Sequence, residues 1–488
     1  MHVGINSACP LPSVPTFCRW RSPSGNDLLL VYQKDYGEDE VLPDGKTVVS
    51  INFTGDNHGP HSYERVKKIY ADLRKRYPQA QLVGASFNDV ARELLLIKKD
   101  LPVVTSEIGD TWIFGYGGAP IRMAKFRAVS RLYSQWLNEG KIKKDSDVAL
   151  DFAAELGLIA EHTQGVDVKT HLRQWDKYDM DKFLKGRSEG VFSMAEASWK
   201  EIDNYIDSAI AFLPASLQKE AREVVAEVDK VKLEDNSKMK PMARKRWEQP
   251  IAGGMTLAGL SYQMFDGDDY DDFQNRYLRA RYEWALDDLG KRGLKESHAV
   301  SVTLYAQTMA QSVRKEKKGT RIITELRFPE NEKVDKRVYP ERIQVNCFTT
   351  KNGKRSEVAL TIYGKPAVRL PESYWLSFTV PGIELVIAEK MGERVNLMDV
   401  VEKGNRQMHG IDRYVDLITS GETIRISSKE AFLLNVGEAQ GLNYSTNYPD
   451  KRKGVHFNLN NNLWGTNFSM WNEGSLTYHF VIETLSRK

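Results

Sequence analysis

Gly55-Asp56-Asn57-His58-Gly59-Pro60, followed by His61, puts a carboxylate and two imidazoles on one glycine-flanked stretch directly after the apolar run Thr47–Phe53. Such a loop at the end of a strand suits acid–base or metal chemistry. The same residue types also serve turns and helix caps, so Asp56 and Asn57 could equally shape the chain ahead of the next helix. Glu107-Ile108-Gly109-Asp110-Thr111-Trp112 follows the run Pro102–Ser106 in the same way. Two carboxylates can accept hydroxyl donors and an indole can stack on a pyranose face, which together would make a sugar contact. The competing reading is a helix-start loop with Trp112 packing between domains.

A metallophosphoesterase would use several Gly-Asp and Gly-Asn-His loops at successive strand ends, and one is present. His162, in Glu161-His162-Thr163-Gln164-Gly165, stands at a helix end, where histidine commonly serves the helix dipole. Asp266-Gly267-Asp268-Asp269-Tyr270-Asp271-Asp272 is acidic like a calcium loop but lacks glycine at the sixth position. It reads instead as the acidic start of a helix near Phe273. His171, His298, His409 and His479 have no spacing partner and read as structural, and Cys347 reads as core.

The elements that must position these loops fall into three stretches. Over residues 1–120, His2–Asn6, Leu28–Tyr32, Thr47–Phe53, Gln81–Ser86 and Pro102–Glu107 read as strands. Helices His61–Tyr77 and Asn88–Ile97 alternate with them. That alternation predicts βαβ units and a parallel, barrel-like sheet with functional loops at the strands' carboxyl ends. A buried strand at residue 2 predicts a partial α/β domain whose front part is absent. Over 121–294 the period becomes helical. Phe126, Val129, Tyr133, Trp136 and Leu137 form one apolar stripe, with Arg122, Lys125 and Arg131 on the other side. A helical bundle is expected, with a charged linker at 230–254. Over 295–488 many short strand-like runs predict a β-sandwich.

The whole is 488 residues, about three domains' worth. Lys+Arg 69 against Asp+Glu 66 leaves +3, which argues against a nucleic-acid partner. Cys9, Cys18 and Cys347 make no disulfide framework. No apolar run approaches a membrane span, and the first residues lack the charged and apolar regions of a signal peptide. Localisation and oligomeric state are left open.

Five segments in this order, HVGINSACPLPSVPTFCRW, FTGDNHGP, SEIGDTWIFGYGGAP, EHTQGVDVKTH and NLNNNLWGTNFSMW, resemble the family called domain of unknown function 5054. That family is distantly similar to the glycoside hydrolase family 38 α-mannosidases. The resemblance implies an α/β domain, a helical bundle and a β-sandwich, with carbohydrate as the partner. It also implies hydrolysis of glycosidic bonds through an Asp nucleophile, a second carboxylic acid and one zinc ion. Carried onto this chain, Asp56 becomes the general-acid candidate, with Asn57, His58, Glu107, Asp110 and Trp112 as sugar contacts and His162 as a zinc ligand. Gln164 stands where the resemblance leads one to expect an aromatic residue. The family's His-x-Asp zinc pair and its nucleophile have no counterpart here. The expectation is therefore a family 38-like protein that retains no zinc and does not turn over as this chain. A non-catalytic carbohydrate-binding or scaffold protein is the alternative, and a decayed fragment with an exposed sheet edge at HVGIN a third.

Overall fold

In the computed structural model, which describes residues 1–55, 58–109, 112–172, 175–235, 239–241, 245–465 and 467–485, period-two alternation builds the first sheet. Leu30 and Tyr32 of strand Asp27–Gln33 pack with Cys18 on one face, while Val31 packs with Phe17, Leu42, Val49, Leu94 and Leu101 on the other. The strand order is His2–Gly4, Asp27–Gln33, Phe17–Arg21, Val103–Val104. The two outer pairings are parallel and the central one antiparallel. This sheet belongs to the first of two units, which comprises residues 1–109, 277–281 and 399–404.

The wholly parallel, barrel-like sheet expected over residues 1–120 is thus replaced by a short mixed sheet. Only Val48–Ser50 of the expected strand Thr47–Phe53 is extended in a ladder, and it pairs with Asp39–Val41 in a separate antiparallel hairpin. Gln81–Ser86 forms no strand, and Val83 is exposed. An apolar run becomes a strand only when another strand accepts its backbone hydrogen bonds, and the sequence does not display that partner. The helices do form, as Tyr63–Arg76 and Phe87–Leu96. Ser62 caps the first through its side chain, and Ser86 with Asp89 forms a capping box on the second.

The second unit takes the remaining residues. Its principal helices are Pro120–Asn138, Asp147–Gly157, Ser193–Ala211 and Ala215–Asp229. The first begins with Pro at a position where no backbone donor is required, and the second is capped by Ser146. Two large antiparallel sheets follow, one of seven strands and one of ten, and no sheet closes into a barrel among the described residues. Phe378 and Phe457 of the first sheet meet Phe480 of the second at ring separations of 5.4 and 5.1 Å, so the two sheets share a core.

Strand Thr256–Met264 lies inside the stretch expected to be helical; it pairs with Glu372–Thr379 and Val302–Tyr305. Its last six residues are all buried, which hides the alternation that would have marked it. Helix Gly267–Tyr277 begins where Asp266 accepts the amides of Asp268 and Asp269, the acidic helix start expected there. Cys347 is buried in strand Arg342–Thr350, and burial pushes its thiol up to about 11. Among the described residues no helix is long and apolar enough to cross a membrane.

Candidate functional site

Gly55 opens the first candidate loop at φ +116°, a backbone angle that favours glycine, and so allows the chain to turn away from the hairpin. Asp56 and Asn57 lie outside the described residues. His58 is exposed. The His61 ring nitrogen lies 3.0 Å from the Asn52 carbonyl, tying the loop's far side back to its near side. Because Ser62 already caps helix Tyr63–Arg76, that helix needs no cap from the loop. Contrary to expectation, the loop leaves a hairpin and not a parallel-sheet strand.

Glu107 is fixed by its backbone. Its amide donates to the Asp399 carbonyl at 2.9 Å, and its carbonyl accepts from Val401 at 2.8 Å. The preceding Ser106 donates its hydroxyl to Asp399 at 2.5 Å and accepts the Trp20 indole N–H at its carbonyl, 3.1 Å away. These partners all belong to the first unit, and segment Asp399–Gly404 supplies the anchor from almost 300 residues downstream. Asp110 lies outside the described residues.

Trp112 opens a 3-10 turn, Trp112–Gly118, in the second unit. Its ring packs against Trp464 and Phe468 at 5.0 and 6.0 Å. The turn lies so close to the closing motif that a Cβ at Gly117 would stand 2.2 Å from the Asn461 amide nitrogen. Tyr116 packs edge-on against Phe468 and donates its hydroxyl to the Ala160 carbonyl at 2.8 Å. That bond ties the turn to the segment leading into His162.

His162 is exposed, with 64% of its side chain in solvent, and its ring pairs with the neighbouring Glu161 carboxylate. The structure gives the buried role to Gln164. Its side-chain amide donates to the carbonyls of Ile159 and Glu161 at 2.8 and 2.9 Å, and its oxygen accepts from Arg122 at 2.9 Å. Arg122, expected on the solvent side of its helix, is buried and also reaches Asp203 and the Trp199 carbonyl. Gln164 therefore braces the His162 loop where an aromatic residue was expected. The residue types were visible in the motif, but their pairing was not.

Replacing Gln164 with Leu is expected to destabilise the fold by about 2–4 kcal/mol, since each buried polar group left unpaired costs about 1–3 kcal/mol. Urea unfolding checks this, and an unchanged midpoint would remove the bracing role.

A zinc site needs three or four His, Cys, Asp or Glu donors converging on one point. Among the described residues no group of three such side chains could hold a metal, and the ring of His162 faces Glu161. The described residues do not fit a zinc ion. His58 and Glu107 stand in the first unit, Trp112 and His162 in the second. His171 is exposed, His409 is buried with a ring nitrogen 3.1 Å from the Arg406 carbonyl, and His479 pairs with Glu430.

Residues 117–249 match the family model described as Domain of unknown function (DUF5054). The matched segment contains the Glu161–His171 motif and the helices around Gln164. None of the curated proteins matches the chain. Among solved structures, an alpha-mannosidase from Enterococcus faecalis V583 aligns at 9% identity and a TM-score of 0.49, covering 96% of this chain and 69% of that one. A protein in the Glycosyl Hydrolase Family 38 from Enterococcus faecalis aligns at 10% identity and a TM-score of 0.40, with the same coverages.

Proposed function

We propose that this chain is a glycosidase-like protein that binds carbohydrate through the Gly55–Pro60 loop and, as this chain, does not hydrolyse it. The observation that carries the reading is the match of residues 117–249 to the same family that the five ordered sequence motifs resemble. The exposed His58 beside Asp56 and Asn57 offers donors and acceptors of the kind sugar hydroxyls require. In the complete family, Asp56 would serve as general acid and a second carboxylate as nucleophile. General acid catalysis alone contributes about 10²–10⁴-fold, far below what glycoside hydrolysis demands. In this reading Asp56 serves recognition.

Glycan-array screening followed by calorimetry tests this. We expect a carbohydrate ligand whose affinity does not change when zinc is added or chelated. Asp56→Ala should weaken binding about 10-fold or more, the loss of a hydrogen bond to a charged group being about 1.5–3 kcal/mol. Binding to no sugar would overturn the reading. Zinc-dependent release of nitrophenol from aryl glycosides would replace it with an active hydrolase.

A further inference from the structure

A buried cation and a half-buried one stand together in the second unit. Lys291 and Arg369 both line a small cleft that is floored by Trp175, Tyr178 and Met470. Arg369 is 2% exposed. Its guanidinium carries five N–H donors, and the one carbonyl it meets, that of Trp175, is at the long distance of 3.5 Å. Against it lie the ring faces of Tyr178 at 4.2 Å and Phe192 at 5.2 Å, and the Asp176 carboxylate acts on it without forming an ion pair. Lys291 donates to the Trp464 carbonyl at 3.0 Å. Among the described residues neither cation forms an ion pair, and the carboxylate that also lines the cleft, Asp287, pairs with Arg292.

This arrangement is costly as it stands. A buried charge is tolerated when it is paired, and two like charges facing one space raise the cost further. Ring faces offset part of it for Arg369. Carbonyl oxygens are weak substitutes for a full counter-charge. The free space left between the lining groups takes one water-sized particle. That is the scale of one small ion and too little to enclose a sugar, a phosphate ester or a peptide.

We propose that the Lys291–Arg369 cleft is a binding site for a small inorganic anion of the size of chloride, which supplies the missing counter-charge. In its absence, burial and the neighbouring Arg369 pull the Lys291 ammonium down to about 7, so part of the population discards the charge instead. The site is independent of the carbohydrate reading, since none of the sugar-contact residues lines it.

Thermal unfolding of the full chain at pH 6.5 and constant ionic strength provides the test, with sodium chloride exchanged stepwise for sodium gluconate, whose anion is too large to enter. A binding site raises Tm with saturating dependence on its ligand. We expect Tm to rise by about 2 °C or more between zero and 0.1 M chloride. Bromide should reproduce the rise and give an anomalous-scattering peak between Lys291 and Arg369. Lys291→Met should abolish the chloride dependence, even if removing the charge makes the protein more stable in gluconate. An unchanged wild-type Tm across the series would overturn the proposal and leave Lys291 as a neutral amine. A rise that survives in both Lys291→Met and Arg369→Gln would place the chloride effect elsewhere and overturn it too. Because the wild-type arm and the bromide peak stand alone, the result does not depend on either variant folding.

Discussion

Glu372→Gln is expected to destabilise the protein by about 3–5 kcal/mol, the usual penalty for leaving a buried charge without its partner. The Glu372 carboxylate pairs with the Lys365 ammonium at 2.5 Å, with side-chain exposures of 0% and 4%. Its second oxygen accepts the Tyr262 hydroxyl at 2.8 Å. Once the charge opposite is removed, Lys365 keeps the carbonyls of Pro366 and Asn472, at 3.1 and 2.9 Å, with the Tyr374 ring 5.9 Å away. The neutral amide can still accept from Tyr262, so the cost falls on the lysine. Burial raises the Glu372 carboxyl above its ordinary range while Lys365 and Tyr262 lower it, so the desolvation cost is already present in the native state. The double variant Lys365→Met, Glu372→Gln should recover most of the loss, because no unpaired charge then remains inside. Guanidinium unfolding of the wild type and the two variants decides it. Equal stability of Glu372→Gln and wild type would mean that Lys365 finds water or another partner in the interior.

Trp471→Ala should cost about as much, roughly 3–5 kcal/mol, and for a different reason. The indole is 4% exposed and sits among Phe183, Phe192 and Trp199, at ring separations of 4.8, 5.2 and 4.8 Å. All three approach it edge-on, the arrangement the ring quadrupoles favour. Arg187 lies over its face at 5.6 Å while also pairing with Glu196 and Glu473. Truncation therefore opens a cavity bounded by helices Met180–Ser188 and Ser193–Ala211. Trp471→Phe retains part of the edge contacts and should lose less than half as much. If alanine and phenylalanine prove equivalent by denaturant midpoint, the ring cluster contributes little to stability.

The helices of the second unit were legible because their signal is local. The stripe from Phe126 to Leu137 and the Ser146 cap sit within a few residues of the helices they define. The first sheet was not, because its pairings are decided at a distance. Phe17–Arg21 joins the middle of the sheet although Arg19 and Arg21 make its pattern look polar, and Asp27 accepts both of these arginines. Conversely, Gln81–Ser86 has the composition of a strand and no neighbour to pair with. At the candidate site, residue types were readable at Gly55–Pro60 and Glu107–Trp112. The bracing by Gln164 and Arg122 was hidden, since helical periodicity assigns a polar side chain to solvent unless its partner is known. Trp112 carried two readings, and its neighbours Trp464 and Phe468 lie some 350 residues away, beyond any local pattern.

The ten-stranded sheet places Gly474–Leu485 between Arg355–Lys365 on one side and Thr423–Ser428 on the other. One half of that sheet is drawn from residues 240–365 and the other from 383–428, and in the strand order they meet only through this strand. A ribosome delivers the chain from its amino end at about 5–20 residues per second, so each half emerges with an unpaired edge and waits for its keystone. The interval from residue 428 to residue 485 is then several seconds during which two β-edges stand open on one nascent chain. Chaperone engagement and misassembly should concentrate in that window, and synonymous changes that slow translation between these positions should lower soluble yield without altering a single contact in the finished protein.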